Sequence, residues 1–530
     1  MAKSALLFPL FTFLPFIISC SLDEDPRDQI PEEEAYTDGA ALYRNTVATL
    51  YSYIGGSEDG QGLQGTCRGV YDLQTFGSDE AMLPTRGGDW YDGGLWQDMY
   101  RHSWTAGHDL PKNAWLYLYK VITLCNNSLK QLETHKALLE DSQFKEYTAE
   151  VRALRAIYYW YLLDLFGDVP LVTTTDVSMQ EVRQSTRKEV FDFAVSELET
   201  VREYLAIAFS NHQGDYYGRV TYPVATFALA KLMLNAEVYS GTPQWEKVID
   251  YCDEFESMGY QLESYYPSNF YVLNENSMEN IWIIPIDKDL YTSQQQNLYR
   301  SYHYRHAAAY GFTGENGTCA TKRVLEIFRY GTDEEDIRFL YNYWADEVFD
   351  LNLNQVYDRK GDILKYYPWE VAIDVSGSPY VETAGARMKK YEVDKNATKD
   401  GKLMDNDIVL FRFADVLLMR AEAKLRLGGP DYKRAGDGTT AQQDFDMIRR
   451  RVDMPLRPLT LQNLLDERLL ELCWEGWRRQ DLIRFGQYES VFEGNAYLSK
   501  IDERDGHTQL YPIPADVMAL NHNLIQNPGY

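Results

Sequence analysis

The sequence predicts a mainly α protein in which a tetratricopeptide-like scaffold of helical repeats carries a large loop-rich half with few short strands. Apolar residues recur at spacings of three and four along several long windows, as they do on one face of a helix. Successive helix pairs of about 30–40 residues are typical of helical repeats. Residues 260–404 differ, because they are rich in Tyr, Asn, Gly and Asp and contain few long periodic runs.

The first residues read as a processing signal. Residues 1–19 carry one early cation, Lys3, and an apolar run over 5–18 that is too short to span a membrane. The run ends in Ser19-Cys20, which resembles a bacterial lipobox and predicts Cys20 as the lipidated first residue of the mature chain. The alternative is a chance cysteine beside an ordinary cleavage site. Residues 20–38 are polar and acidic, as expected of a solvated tether.

The helical scaffold is predicted from periodicity and punctuation. The window 150–166 has one apolar face and ends at Gly167, with Pro170 beyond it. A second amphipathic window, 112–133, precedes it across a short polar link, so the two helices are expected to pack together. Further helices are predicted at 39–54, 187–206, 222–240, 243–257, 407–427, 440–452 and 460–485.

We expect one domain over residues 39–530, built from scaffold segments and loop-rich segments. The scaffold segments are 39–54, 109–258 and 405–486. The loop-rich segments are 55–108 and 260–404, and long loops on a rigid scaffold are where binding residues usually lie.

The best candidate binding stretch is 77–104, in which aromatic and charged residues alternate with glycines. An indole stacks on the apolar face of a sugar ring, while carboxylates and arginines bind the rim of hydroxyls. The alternative is that the tryptophans pack beneath the loop and the charges are solvated. The residues predicted to bind here are Asp79, Arg86, Asp89, Trp90 and Trp96.

A second candidate stretch, 297–312, interleaves tyrosines with basic residues. Tyr299 and Tyr302 are predicted to bind ligand, and the alternative is ordinary packing within the loop. In a basic protein the same pattern would indicate single-stranded nucleic acid. A formal net charge of −28 excludes nucleic acid, whose phosphates would be repelled.

The sequence offers no recognisable catalytic, cofactor or metal motif, so no enzyme activity, cofactor or metal is predicted. His303 and His306 lack a third ligand at a recognisable spacing. The alternation over 394–400 departs from a calcium-binding loop, because its glycine is misplaced. The cysteines after the lipobox contain no CxxC pair, and the sequence does not specify a disulfide.

Carboxylates and arginines crowd the segment 466–486. Glu467, Glu471 and Glu475 follow one another at intervals of four, and arginines lie among them. Paired carboxylates are the machinery of glycoside hydrolysis, which is one interpretation. The favoured interpretation is an ion network that braces packed helices, because Arg–carboxylate pairs have specific geometry.

Six blocks in this order resemble the SusD/RagB family of surface lipoproteins. The most specific is the last, YPIPADVMALNHNLIQNPGY. The blocks are 166–172, 218–239, 276–286, 410–428, 466–486 and 511–530.

The resemblance implies an outer-membrane lipoprotein that faces the cell exterior and is anchored in outer-membrane lipid through Cys20. It implies four tetratricopeptide-like helix pairs and a loop-rich half that binds an oligosaccharide ligand. The implied partner is a SusC-like TonB-dependent outer-membrane barrel, to which the protein delivers the captured glycan. Three alternatives stay open: a peptide-binding member of the family, a surface glycoside hydrolase and a purely structural adaptor.

Overall fold

A computed structural model describes residues 32–178, 180–290, 298–396, 404–489 and 505–530. The predicted signal peptide 1–19, Cys20 and the tether as far as residue 31 lie outside the described residues. The same holds for residues 397–403, which include half of the calcium-like alternation.

Helices dominate the described part of the chain. The α-helices are, in chain order, α1 (Glu32–Ala35), α2 (Gly39–Tyr43), α3 (Thr49–Gly55), α4 (Val70–Phe76), α5 (Leu95–Arg101), α6 (Asp109–Thr134), α7 (Asp141–Phe166), α8 (Arg187–Val201), α9 (Tyr222–Leu234), α10 (Ala236–Ser240), α11 (Trp245–Ser257), α12 (Leu298–Ser301), α13 (Tyr304–Ala309), α14 (Lys322–Phe328), α15 (Arg338–Asn342), α16 (Phe413–Gly428), α17 (Ala441–Arg451), α18 (Leu461–Leu472), α19 (Arg478–Arg484) and α20 (Ala515–Leu520). None of these helices is both long enough and apolar enough to cross a membrane.

The strands are short and form two-stranded antiparallel pairs. They are β1 (Ala81–Met82), β2 (Val169–Pro170), β3 (Gln184–Ser185), β4 (Asn280–Ile284), β5 (Cys319–Ala320), β6 (Tyr343–Trp344), β7 (Asp346–Glu347), β8 (Lys365–Tyr366), β9 (Arg387–Met388) and β10 (Ile408–Arg412). The pairs are β1 with β5, β2 with β3, β4 with β10, β6 with β9 and β7 with β8. A mainly α protein with few short strands is therefore confirmed.

The long scaffold helices form where periodicity predicted them. A capping box between Glu140 and Gln143 starts α7, and Gly167, at a φ of 73°, ends it. Along the scaffold α6 packs against α7 and α7 against α8, while α11 packs against both α9 and α16, and α16 against α17. This succession is consistent with helical repeats, and the number of four pairs stays a prediction.

Two helix predictions need correction. The window 407–427 begins with strand β10, and only its remainder is helix α16. A short buried strand of four apolar residues followed by Arg412 has the same composition as a buried helical turn, so periodicity cannot separate the two. The window 460–485 is broken between α18 and α19 because Trp474 and Gly476 have φ angles of 65° and 75°, which a right-handed helix excludes.

Residues 285–407, which we call the insert, lie between strands β4 and β10 along the chain. These two strands join the ends of the insert to the core. Ile284 pairs with Ile408 and Ile283 with Val409, and every residue of both strands is buried. The insert between them therefore leaves and re-enters the scaffold at one place.

A buried ion network lies beside these strands. The Arg412 guanidinium contacts Glu279 at 2.7 Å, Glu471 at 2.6 Å and Glu475 at 2.9 Å. Arg338 contacts Glu471 at 3.0 Å, and the side chains of all five residues are at most 1% exposed. The bracing interpretation of the segment 466–486 is thus confirmed.

Two arginines of that segment pair with carboxylates of other helices. Arg479 contacts Asp164 on α7 at 3.0 Å, and Arg468 contacts Asp415 on α16 at 2.8 Å. Arg484 also pairs with Asp481 within α19, at 2.7 Å. The network therefore connects separate elements as well as residues of one helix.

The cysteines of the described residues are all buried: Cys67, Cys125, Cys252, Cys319 and Cys473. Cys125, Cys252 and Cys473 are completely buried, where each packs as a small hydrophobic side chain.

Candidate functional site

The loop between β1 and α5 holds two side chains in an unusual backbone conformation. Trp90 has a φ of 60° and Asp92 a φ of 43°, in the left-handed region that bulky residues rarely adopt. Such conformations persist only where surrounding contacts fix them, and they concentrate at functional sites.

The contacts that fix Trp90 come from the insert. Its indole Nε1 donates a hydrogen bond to the Glu315 carbonyl at 2.9 Å. The ring also packs against Gly317, where an added Cβ would come within 2.8 Å of the indole. The half-buried ring is therefore locked between the first loop-rich segment and the second.

An exposed polar and aromatic rim surrounds Trp90. Tyr91 is 52% exposed. The exposed Asp89 carboxylate accepts a hydrogen bond from the Tyr304 hydroxyl at 2.6 Å, and the Arg359 guanidinium lies 5.4 Å from the Tyr304 ring. We call Asp89, Trp90, Tyr91, Tyr304 and Arg359 the loop surface.

The electrostatics of the loop surface suit hydrogen bonding rather than proton transfer. Burial and the hydrogen bond to Asp89 raise the pKa of Tyr304 to about 12, so its hydroxyl stays protonated at neutral pH. Ring faces, one carboxylate, one guanidinium and a phenol together match a ligand with apolar faces and hydroxyl edges.

Two predicted binding residues of the first stretch lie in the interior instead. Asp79 is 3% exposed, and its carboxylate accepts two hydrogen bonds from Arg478 at 2.6 Å and 2.9 Å. Arg86 is 5% exposed and donates to the carbonyls of Val381 and Ala384, each at 2.9 Å. Asp79 is paired with an arginine and Arg86 is hydrogen-bonded to backbone carbonyls, so the structure gives both residues a role in joining segments.

Trp96 also packs beneath the loop. It is 1% exposed, its Nε1 donates to the Asp92 carboxylate at 2.9 Å, and its ring meets Phe76 edge-on at 5.4 Å. This is the packing alternative that the sequence left open.

The tyrosines predicted in the second stretch are buried as well. Tyr299 is 2% exposed, with its hydroxyl 3.2 Å from the Cys67 sulfur. Tyr302 is fully buried and accepts a hydrogen bond from Trp344 Nε1 at 2.6 Å. Of the predicted set, the structure thus brings only Asp89 and Trp90 to the loop surface.

The predicted set of binding residues omits three residues of the loop surface: Tyr91, Tyr304 and Arg359. The first two lie in the stretches 77–104 and 297–312 that the aromatic pattern indicated. Neither composition nor spacing distinguishes an exposed tyrosine from its buried neighbour, and Arg359 lies far from both stretches along the chain.

The carboxylates of 466–486 are placed where they cannot reach a substrate. Glu467 and Glu471 are fully buried, and each accepts hydrogen bonds from arginines. Among the described residues, no group of three His, Cys, Asp or Glu side chains is arranged to hold a metal ion.

Comparison with known proteins gives a consistent set of relatives. The model of the SusD family matches residues 257–530, and the model described as "Starch-binding associating with outer membrane" matches residues 72–234. The chain is 28% identical to the starch-binding protein SusD of Bacteroides thetaiotaomicron, over 97% of this chain and 96% of that protein.

Solved structures share the fold. A SusD superfamily protein from Bacteroides vulgatus superposes with a TM-score of 0.72 at 19% identity, covering 93% of this chain and 99% of that one. The surface glycan-binding protein A from Bacteroides thetaiotaomicron, solved in complex with laminarihexaose, superposes with a TM-score of 0.70 at 20% identity, covering 92% and 99%.

The family assignment agrees with the prediction that the protein binds carbohydrate and is not an enzyme. It also agrees with association with the outer membrane, which the matched description names. Because the first family model alone spans more than half of the residues, the chain belongs to the SusD family.

Proposed function

We propose that this protein captures an oligosaccharide at the outer surface of the outer membrane and delivers it to a SusC-like TonB-dependent transporter. The observation that carries the proposal is the loop surface, where the indole of Trp90 is locked in place beside the exposed Tyr91 and the Asp89–Tyr304 pair. A rigid aromatic platform binds a sugar ring at a low cost in side-chain entropy.

The relatives support a glycan as the ligand. One curated relative is named as starch-binding, and one neighbour in structure is solved with laminarihexaose. The loop surface adds a physical reason, because its hydrogen-bonding groups stand beside ring faces as a sugar requires.

The anchor belongs to the same proposal. Cys20 carries the acyl chains, and the acidic residues that follow it form a tether that holds the domain outside the cell. Stable membrane attachment needs two or more acyl chains, since each buried CH₂ contributes about 0.8 kcal/mol.

Delivery requires contact with a barrel. We propose that the helical scaffold docks on the transporter, and that the loop surface faces the ligand path. Capture at the membrane raises the local ligand concentration, so modest affinity is sufficient.

A panel of oligosaccharides and peptides, titrated by calorimetry against the soluble form lacking residues 1–20, tests the proposal. We expect binding of at least one glycan without release of shorter products. Binding of peptides alone would favour the peptide-binding alternative, and product release from a purified glycan would favour the hydrolase. Failure to bind any glycan would overturn the proposal.

A further inference from the structure

A second concave site lies beyond α13 from the loop surface. Tyr304 begins α13, and Tyr310, which follows it, lines a groove of about 460 Å³. The other groove residues that carry the argument below are Tyr265, Tyr271, Tyr341, Trp344 and Lys389. We call this concavity the aromatic groove.

One wall of the aromatic groove is a cluster of three tyrosines. The ring centroid of Tyr265 lies 5.8 Å from that of Tyr341 and 6.2 Å from that of Tyr271. Tyr265 is 47% exposed and Tyr271 38% exposed. Part of each ring therefore faces solvent at the groove, where the ring of a ligand can stack on it.

A further aromatic ring of the groove, that of Trp344, is held in place by buried neighbours. Its Nε1 donates to the buried Tyr302 hydroxyl at 2.6 Å, and its ring centroid lies 6.0 Å from that of Tyr310. The predicted ligand residue Tyr302 thus supports the groove from its floor. The orientation of the Trp344 ring is set before any ligand arrives.

A cation lies against this indole. Lys389 Nζ is 4.2 Å from the centroid of the Trp344 ring and donates a hydrogen bond to the Leu340 carbonyl at 2.9 Å. An ammonium group has three donors, so further hydrogen bonds are open to it.

The charge of Lys389 is not neutralised by the protein. Burial lowers its pKa, and no carboxylate of the described residues lies within ion-pair distance of its ammonium group. Its neighbour Lys390, which is buried, by contrast meets a carboxylate, Glu475. A partly desolvated ammonium group with no carboxylate partner among the described residues favours an anionic ligand group at this position, although the net charge of −28 repels anions from the chain as a whole.

The rim adds one charge of each sign. Lys395 is exposed there, while the Glu392 carboxylate accepts a hydrogen bond from the Val272 amide at 3.0 Å. The backbone contact holds Glu392 at the edge of the groove. Because Lys389 and Lys395 outnumber Glu392, the net charge of these three side chains is positive.

We propose that the aromatic groove is a second saccharide site, separate from the loop surface, that takes an acidic sugar residue. The sugar ring lies between the Tyr265–Tyr271 wall and Trp344, and its carboxylate or sulfate accepts hydrogen bonds from Lys389. The inference rests on glycan binding as the function and adds a charge class to the ligand.

The test compares acidic oligosaccharides with neutral ones of the same length, titrated against the purified full chain. The acidic probes are a set of oligouronates and a sulfated oligosaccharide. The variants are Lys389→Gln and the double change Tyr265→Ala with Tyr271→Ala, with the fold of each checked by circular dichroism. Lys188→Gln, at an exposed lysine on α8, is the matched control.

We expect an acidic probe to bind at least tenfold more tightly than its neutral counterpart, with affinity that falls as salt is added. Lys389→Gln removes that preference and the tyrosine double variant weakens binding at least tenfold, while Lys188→Gln changes the affinity less than twofold. Neutral glycan binding that persists when no acidic probe binds, or acidic binding unchanged in both groove variants, overturns this inference and leaves the proposed function standing. Absence of any saccharide binding overturns both.

Discussion

Trp90 shows how a single residue in a strained conformation can fix an exposed aromatic surface. Its left-handed backbone turns the chain sharply, and the Glu315 carbonyl and Gly317 hold the indole that results. Tyr91, the next residue, then projects into solvent. The strain therefore fixes an aromatic platform on a loop that would otherwise sample many conformations.

The contrast with Trp96 explains why the sequence could predict the stretch but not the residues. Both tryptophans belong to one glycine-rich motif, yet Trp96 lies in the first turn of α5 and packs on Phe76 at the end of α4. That contact depends on how two helices meet, which spacing within the loop does not encode. Aromatic composition therefore marks the region, and tertiary packing decides which ring is exposed.

Trp96→Ala is expected to destabilise the fold rather than act on ligand binding directly. Removal of a buried indole leaves a cavity and costs about 3–5 kcal/mol of unfolding free energy. Tyr91→Ala, at an exposed position, should change it by less than about 0.5 kcal/mol. Urea unfolding of both variants measures the difference, and equal stabilities for the two would contradict the placement of Trp96.

Glu80 gives a pH dependence with a definite sign. It is fully buried and accepts a hydrogen bond from the Trp474 amide, and burial raises its pKa from 4.5 to about 7. Since the folded state binds the proton more tightly than the unfolded state, this group contributes stability at low pH that is lost as pH rises from about 4.5 to about 7.

Glu80→Gln removes this titration while keeping the shape of the side chain. As pH rises through that window, the wild type should lose about 3 kcal/mol of unfolding free energy that the variant does not lose. Above pH 7 the difference between the two proteins should stay constant. Urea unfolding at several pH values from 4.5 to 8 measures the gap. A gap that does not change with pH would show that Glu80 does not titrate there.

At the level of elements, the ion network determines how α18, α16 and the insert meet. Arg412 at the end of β10 reaches Glu471 on α18 and Glu279 next to β4. Arg338 at the start of α15 reaches Glu471 from the insert. The network therefore fixes the place where the loop-rich half joins the scaffold.

Arg412→Met tests the weight of this network. The change leaves buried carboxylates without their guanidinium and should cost about 3–5 kcal/mol of unfolding free energy. Arg323→Met is the matched control, because Arg323 pairs with Glu326 at 3.0 Å on the surface, where a pair contributes less than about 1 kcal/mol. Chemical denaturation compares the two, and a similar small loss for both would refute a bracing role.

Secondary-structure elements were predicted correctly where one periodic pattern of apolar residues extended over many residues. Helix α7 was predicted because its apolar face extends over several turns and ends at Gly167. Strand β10 was missed because its five buried residues pair with β4, which lies more than a hundred residues earlier. The break between α18 and α19 depends on the positive φ of Trp474, whose amide and carbonyl contact distant residues, so the local sequence carries little trace of it.

At the scale of the whole molecule, anchoring and capture are proposed to act together. Cys20→Ala should release the protein from the membrane fraction, because the proposed acyl chains are attached to this residue. Ser21→Ala, the neighbouring change, should leave membrane fractionation unaltered. Immunoblotting of membrane and soluble fractions measures the distribution, and membrane retention of Cys20→Ala would contradict the anchor.

Both proposed binding sites, the loop surface and the aromatic groove, lie on the loop-rich half of the molecule. The helical scaffold was predicted from the periodicity of apolar residues. The resemblance in six blocks indicated the family, and the exposed residues of each site emerged only from the packing of the insert on the first loop.

The most direct test of the central claim is the affinity of the tightest-binding glycan for the wild type and for a variant with Tyr91→Ala and Tyr304→Ala. Two lost aromatic contacts at about 1 kcal/mol each predict a dissociation constant at least tenfold higher, with the fold intact by circular dichroism. An unchanged dissociation constant in the folded double variant would show that the loop surface is not where this protein binds its glycan.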